Sequence, residues 1–165
     1  DPDIDWKAVL AHPLLLDYEQ GHISDVQFRE GIRHHLAIDA SDEQIDDAWN
    51  AMILEFPEDR FELLTSLAES HSLLLLSNTN EIHVGHFDSI IQDHFEKVYY
   101  SHELKMRKPN IEIYEAVLTE QSLNASETLF IDVTLVNIKG AEKLNIKTFQ
   151  LETPQQLTRL FQGAL

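Results

Sequence analysis

An α/β fold, with a Rossmann-like parallel sheet as its core and a small helical segment ahead of it, is what this chain predicts. Three observations carry the prediction. Up to Phe56 apolar residues recur at helical spacing, with no alternating run among them. Beyond Pro57 short apolar runs take turns with helical stretches; strands separated by helices of that length need crossover connections, hence a parallel sheet. Finally, the segments after Pro57 place a hydroxyl, a lysine and a carboxylate where an open parallel sheet presents its ligand-binding edge.

The helical half, residues 1–56, opens with Trp6, Val9 and Leu10 on one face. His12-Pro13 and Gln20-Gly21-His22 interrupt the pattern and predict loops. Ser24 followed by Gln27 reads as a capping box ahead of the stripe Phe28, Ile32 and Leu36; Ser41 and Gln44 repeat the device ahead of Ile45, Trp49, Met52 and Ile53. Trp6, Phe28 and Trp49 are expected to fill the core of this half, and Asp42-Glu43 and Asp46-Asp47 to form a solvated face. In residues 57–165 the expected order is helix 60–70, strand 72–77, helix 84–93, strand 97–101, helix 111–118, strand 128–132, helix 135–144, strand 146–151 and helix 154–161. Thr153 caps the last of these, with Pro154 at its first position.

Composition narrows the function. At 165 residues and 43% apolar content the chain can bury one substantial core, or a core and a small accessory domain. A net charge of −17 repels nucleic acid and anionic membrane surfaces, so neither is expected as a partner. The absence of cysteine removes thiol nucleophiles, leaves a metal only oxygen or imidazole ligands, and fits a cytoplasmic setting. No apolar run approaches the roughly 18 residues of a membrane span. The opening Asp1-Pro2-Asp3-Ile4-Asp5, with no Met, predicts a fragment or a processed product.

The chemistry sits at strand ends. Ser77 closes Leu73-Leu74-Leu75-Leu76, and Asn78, Thr79 and Asn80 offer further donors, although the same four residues also make an ordinary turn. Lys108, held out of helical geometry by Pro109, is a compact positive charge for a phosphate, or else a solvated surface lysine. Asp132 ends Leu129-Phe130-Ile131 and can bind magnesium through oxygen, or else cap the next helix.

In this order, Leu73 to Ser77, Lys108-Pro109, and Phe130-Ile131-Asp132 with Asn137 and Gly140-Ala141 resemble the second, third and fourth motifs of the haloacid dehalogenase (HAD) superfamily of hydrolases. The continuation Ser77-Asn78-Thr79-Asn80 with His83 is similar to its sugar-phosphatase and epoxide-hydrolase phosphatase-domain branch. The resemblance implies a HAD-type core with residues 1–56 as a helical cap that closes over the site and helps select substrate. It implies hydrolysis of a small soluble phosphomonoester through an aspartyl-phosphate. Ser77, Asn78 and Lys108 would hold the phosphoryl group, and Asp132 would sit at a magnesium ion.

Two departures shape the expectation. The family's first motif is a strand ending in Asp-x-Asp, whose first Asp is the nucleophile; no apolar run leads into Asp1, Asp3 and Asp5. The central first strand and the nucleophile are therefore expected to be missing, this chain alone to be inactive, and its exposed strand edges to favour self-association. Val133 stands where the branch has a second acid, so magnesium affinity is expected to be weakened. The alternative is a non-catalytic domain that binds a phosphorylated ligand, or serves as an interaction module, on the same fold. Dehalogenase chemistry is disfavoured by Asn78-Thr79-Asn80, and His34, His35, His83 and His86 are expected to be ordinary surface histidines rather than a zinc site.

Overall fold

The computed structural model describes residues 12–54 and 56–161. Trp6, Val9 and Leu10, and the acidic residues Asp1, Asp3 and Asp5, lie outside them. The helical half contains α1 (Pro13–Glu19), α2 (Asp25–Leu36) and α3 (Asp42–Asn50). Both expected capping boxes form, Ser24 with Gln27 and Ser41 with Gln44, each satisfying backbone donors that a helix start leaves open. Phe28 lies between Tyr18, stacked at 4.1 Å, and Trp49 at 4.9 Å, so Phe28 and Trp49 are core, as expected. Two positions of the helical stripes depart from the spacing. The chain leaves α2 at Ala37 in a left-handed conformation, so no further turn continues the packed face and Leu36 is exposed. Likewise α3 stops at Asn50, and Met52, two residues past it, is exposed.

The remainder alternates: α4 (Glu58–Ala68), β1 (Leu74–Ser77), α5 (Glu81–Ile91), β2 (Lys97–Tyr100), α6 (Ser101–Leu104), α7 (Ile111–Glu120), β3 (Leu129–Asp132), α8 (Leu135–Glu142), β4 (Lys147–Gln150) and α9 (Pro154–Phe161). Short 3-10 turns precede β2 and β3. Helix α5 begins at Glu81 rather than 84, because Asn80 accepts the His83 N–H and caps it; Gly85 thus lies inside the helix. Ser101 starts α6 instead of ending β2.

Among the described residues the strand pairing is parallel and falls into two separate pairs. β1 pairs with β2, in register from Leu74 opposite Lys97 to Ser77 opposite Tyr100, and β3 pairs with β4. Among the described residues β1 and β3 do not pair, so the strands have not closed up into one sheet. Side chains alternate across the pairs as a pleat requires. Leu75, Val98 and Tyr100 pack with Phe87 and Ile91 of α5, while Leu76 and Phe130 join Ile113 and Tyr114 of α7 and Ala141 of α8. Helices thus cover both faces, the doubly wound arrangement whose ligands bind beyond the carboxyl ends of the strands. No described helix is long and apolar enough to cross a membrane.

Gly140 sets how closely α8 approaches the loop after Lys108. A Cβ there would lie 2.7 Å from the Pro109 carbonyl oxygen and 3.0 Å from the Tyr114 hydroxyl. Gly140→Ala is expected to destabilise the fold by about 1–3 kcal/mol, read as a lower urea midpoint, because a backbone carbonyl has to move. An unchanged midpoint would show that this loop yields freely.

Candidate active site

Lys108 is 8% exposed and joins the ends of two strands that belong to different pairs: its Nζ donates at 2.8 Å to the Leu76 carbonyl of β1 and at 2.8 Å to Asp132 Oδ2 of β3. A lysine is rarely this buried unless paired. Its backbone is held by Asn78, whose Nδ2 donates to Lys108 O and whose Oδ1 accepts from Lys108 N, both at 2.9 Å. The Lys108–Pro109 peptide is cis. The surface-lysine reading thus falls, and Asn78, expected to assist in holding a ligand, has its amide bonded to the Lys108 backbone.

Asp132 is surrounded by donors. Besides Lys108, its Oδ2 accepts from Asn137 Nδ2 at 3.1 Å, and its Oδ1 accepts from Thr134 N at 2.7 Å, turning the chain into α8. Burial pushes the carboxyl pKa up, but Lys108 and then the Thr134 and Asn137 donors outweigh it and hold the group below the usual carboxylate range. Ser77, half-buried at the end of β1, leaves its hydroxyl unbonded among the described residues.

The loop 77–80 is anchored residue by residue. After Asn78, Thr79 donates its N–H to Ser101 Oγ at 2.9 Å, and Ser101 Oγ donates to the Glu19 carbonyl at 2.6 Å, tying the loop to the end of α1. Arg107 reaches Glu19 Oε2 from Nη2 at 2.7 Å, beside the same junction. Sequence reasoning missed Ser101, though the register offers a signal: it follows Tyr100, the partner of Ser77, at the end of β2.

The donor chemistry suits magnesium only in part. Asp132 is the carboxylate in contact with Lys108, both its oxygens already accept hydrogen bonds, and the exposed Val133 isopropyl offers no oxygen. Among the described residues no group of three or more histidine or acidic side chains could hold a metal ion. Asp132 alone does not complete such a centre.

A model of the haloacid dehalogenase-like hydrolase family matches residues 22–151. The chain is 28% identical over 144 residues to a D-ribitol-5-phosphate phosphatase of Bacteroides thetaiotaomicron, spanning 82% of this chain and 70% of that protein. A HAD family enzyme of the same species, solved as the wild-type protein in complex with magnesium and inorganic phosphate, is 36% identical. The superposition has a TM-score of 0.87 and covers 94% of this chain and 82% of the other. A predicted HAD-like family hydrolase from Porphyromonas gingivalis is 28% identical, with a TM-score of 0.81 over 94% of this chain and 82% of its own. Matched in sequence from the loop before α2 to the residue after β4, and in fold over nearly its whole length, the chain belongs to the haloacid dehalogenase-like hydrolase family.

Proposed function

We propose that this family member hydrolyses a small soluble phosphomonoester of the sugar- or polyol-phosphate class. The observation that carries the reading is the buried Lys108 ammonium, held between the ends of β1 and β3 and open to one further acceptor. A phosphoryl group at the strand ends would receive that charge together with the free Ser77 hydroxyl, and Asn78 would position the lysine rather than touch the ligand. Residues 12–54 would act as the cap. Bound magnesium would offset phosphoryl charge, with Asp132 as one of its ligands. The aspartate that takes the phosphoryl group in this family's chemistry would come from outside the described residues, because Asp132 is engaged by Lys108, Thr134 and Asn137. The absence of cysteine is consistent with a cytoplasmic setting.

The test is steady-state hydrolysis of an aryl phosphate and of ribitol 5-phosphate by the complete gene product, with and without magnesium. Magnesium-dependent turnover supports the reading. Its absence, with calorimetry showing that inorganic phosphate binds, would support the second reading, a phosphate-ligand-binding domain, which the lack of β1–β3 pairing among the described residues and the aliphatic Val133 favour. Val133→Asp is expected to tighten magnesium binding by roughly tenfold in a calorimetric titration, since it adds a carboxylate beside Asp132. Unchanged affinity would place Val133 away from the metal.

A further inference from the structure

Away from the strand ends, the helical half meets the core through a closed ring of hydrogen bonds. Trp49 Nε1 donates to Asn80 Oδ1 at 3.3 Å, Asn80 Nδ2 donates to His83 Nδ1 at 3.3 Å, and His83 Nε2 donates to the Trp49 carbonyl at 3.1 Å. The imidazole also stacks on the indole, 5.1 Å between centroids and 15° from parallel. Each bond has a fixed direction. Nε2 carries the hydrogen because its partner is a carbonyl, and Nδ1 is bare because an amide N–H points at it. A proton on Nδ1 would face the Asn80 amino group. Turning the Asn80 amide over to meet it would set that amino group against two donors, Trp49 Nε1 and the His83 N–H that Asn80 Oδ1 accepts at 3.2 Å.

We propose that His83 is a positioning residue and a proton-sensitive latch: neutral, it docks the helical half onto the loop 77–80; protonated, it releases it. The loop is well placed to transmit this. Asn80 lies two residues from Asn78, which grips Lys108, and Thr79 between them is tied through Ser101 to the end of α1. Burial lowers the His83 pKa; the Trp49 carbonyl opposes this and His86, on the same helix, adds to it. On α3, Asp46 is paired with Arg29 and Asp47 is exposed. A histidine depressed on docking favours the docked state fully above its ordinary value of about 6.5, and the advantage is lost as pH falls below it.

The latch rests on the phosphatase reading only for its effect on turnover, so the test does not use turnover. Hydrogen exchange of the full chain, corrected for intrinsic rates, is compared at pH 8 and pH 5 for wild type, His83→Phe and His83→Gln. His83→Phe keeps an aromatic ring but neither bond; amides of α2 and α3 are expected to exchange roughly tenfold faster at pH 8, with α7, β3 and α8 unchanged. Wild type is expected to loosen in the same helices at pH 5, and His83→Gln, which keeps a donor for the Trp49 carbonyl, to show intermediate protection without that pH response. Equal loss in every element of both variants, or an α2–α3 pH response that survives both substitutions, overturns the latch. Exchange behaving as expected in a protein without turnover would sink the phosphatase reading and leave the latch standing.

Discussion

Lys108→Met is expected, on the proposed phosphomonoesterase reading, to lower turnover by about a hundred- to a thousandfold, because it removes the fixed positive charge proposed to meet the phosphoryl group. The same substitution strands Asp132, whose side chain is 8% exposed, and is expected to cost about 3 kcal/mol, the scale for a buried ion pair broken on one side. Asn137 and the Thr134 N–H still bond the carboxylate, which keeps the loss at the lower end of that range. pH separates the pair from a merely packed lysine. In the native protein the Asp132 carboxyl is held low, so its contribution is present above the unfolded carboxylate value of about 3.9 and is lost as pH falls through the folded value. Without Lys108 its hydrogen bond and charge no longer lower the carboxyl, burial is opposed by Thr134 and Asn137 alone, and the folded value rises. Lys108→Met is then expected to lose less stability than the native protein as pH falls below about 4, because less of the carboxyl's depression remains. Urea midpoints across that range, together with phosphate turnover, check both halves. Parallel pH profiles for the two proteins would mean that Asp132 does not depend on Lys108.

Much of this pair was legible in the sequence, and the reason is local. Ser77 and Asp132 each end a short apolar run, and such runs leave little choice of structure: Leu74–Ser77 and Leu129–Asp132 appear almost where their composition put them, while Lys108 was marked by the proline after it. The capping boxes at Ser24 and Ser41 were equally legible, since both members lie within one helical turn. What could not be read depends on partners far apart in sequence. Ser101 was read as the end of a strand because its role needs Glu19 and Thr79, 82 and 22 residues away. Nothing local reveals that the Asn78 amide closes on the Lys108 backbone, 30 residues on. His83 was read as an ordinary histidine because Trp49, which it stacks on and bonds, belongs to the helical half. The exposed Leu36 and Met52 show the opposite error, where spacing outran the helix that gave it meaning.

The helical half should be most sensitive at Phe28. Its ring is 1% exposed, stacked on Tyr18 and tilted against Trp49, so Phe28→Ala opens a cavity that aromatic neighbours on two helices cannot both collapse into. The expected loss is about 3–5 kcal/mol, a large part of the 5–15 kcal/mol typical of a whole domain. Tyr18 makes the position consequential beyond packing. Its hydroxyl donates to Asp25 at 2.8 Å and accepts from the Ile82 N–H at 3.3 Å, so the ring that Phe28 supports carries a hydrogen bond into the first turn of α5. Burial and the bond to Asp25 hold the phenol far above its usual range, which keeps that donor intact wherever the protein is folded. Phe28→Leu, which refills most of the volume but cannot stack, is expected to recover about half of the loss in urea unfolding. A cost below about 1 kcal/mol for Phe28→Ala would mean that Trp49 and Tyr18 close over the gap, and that the helical half is packed far less tightly than its buried rings indicate.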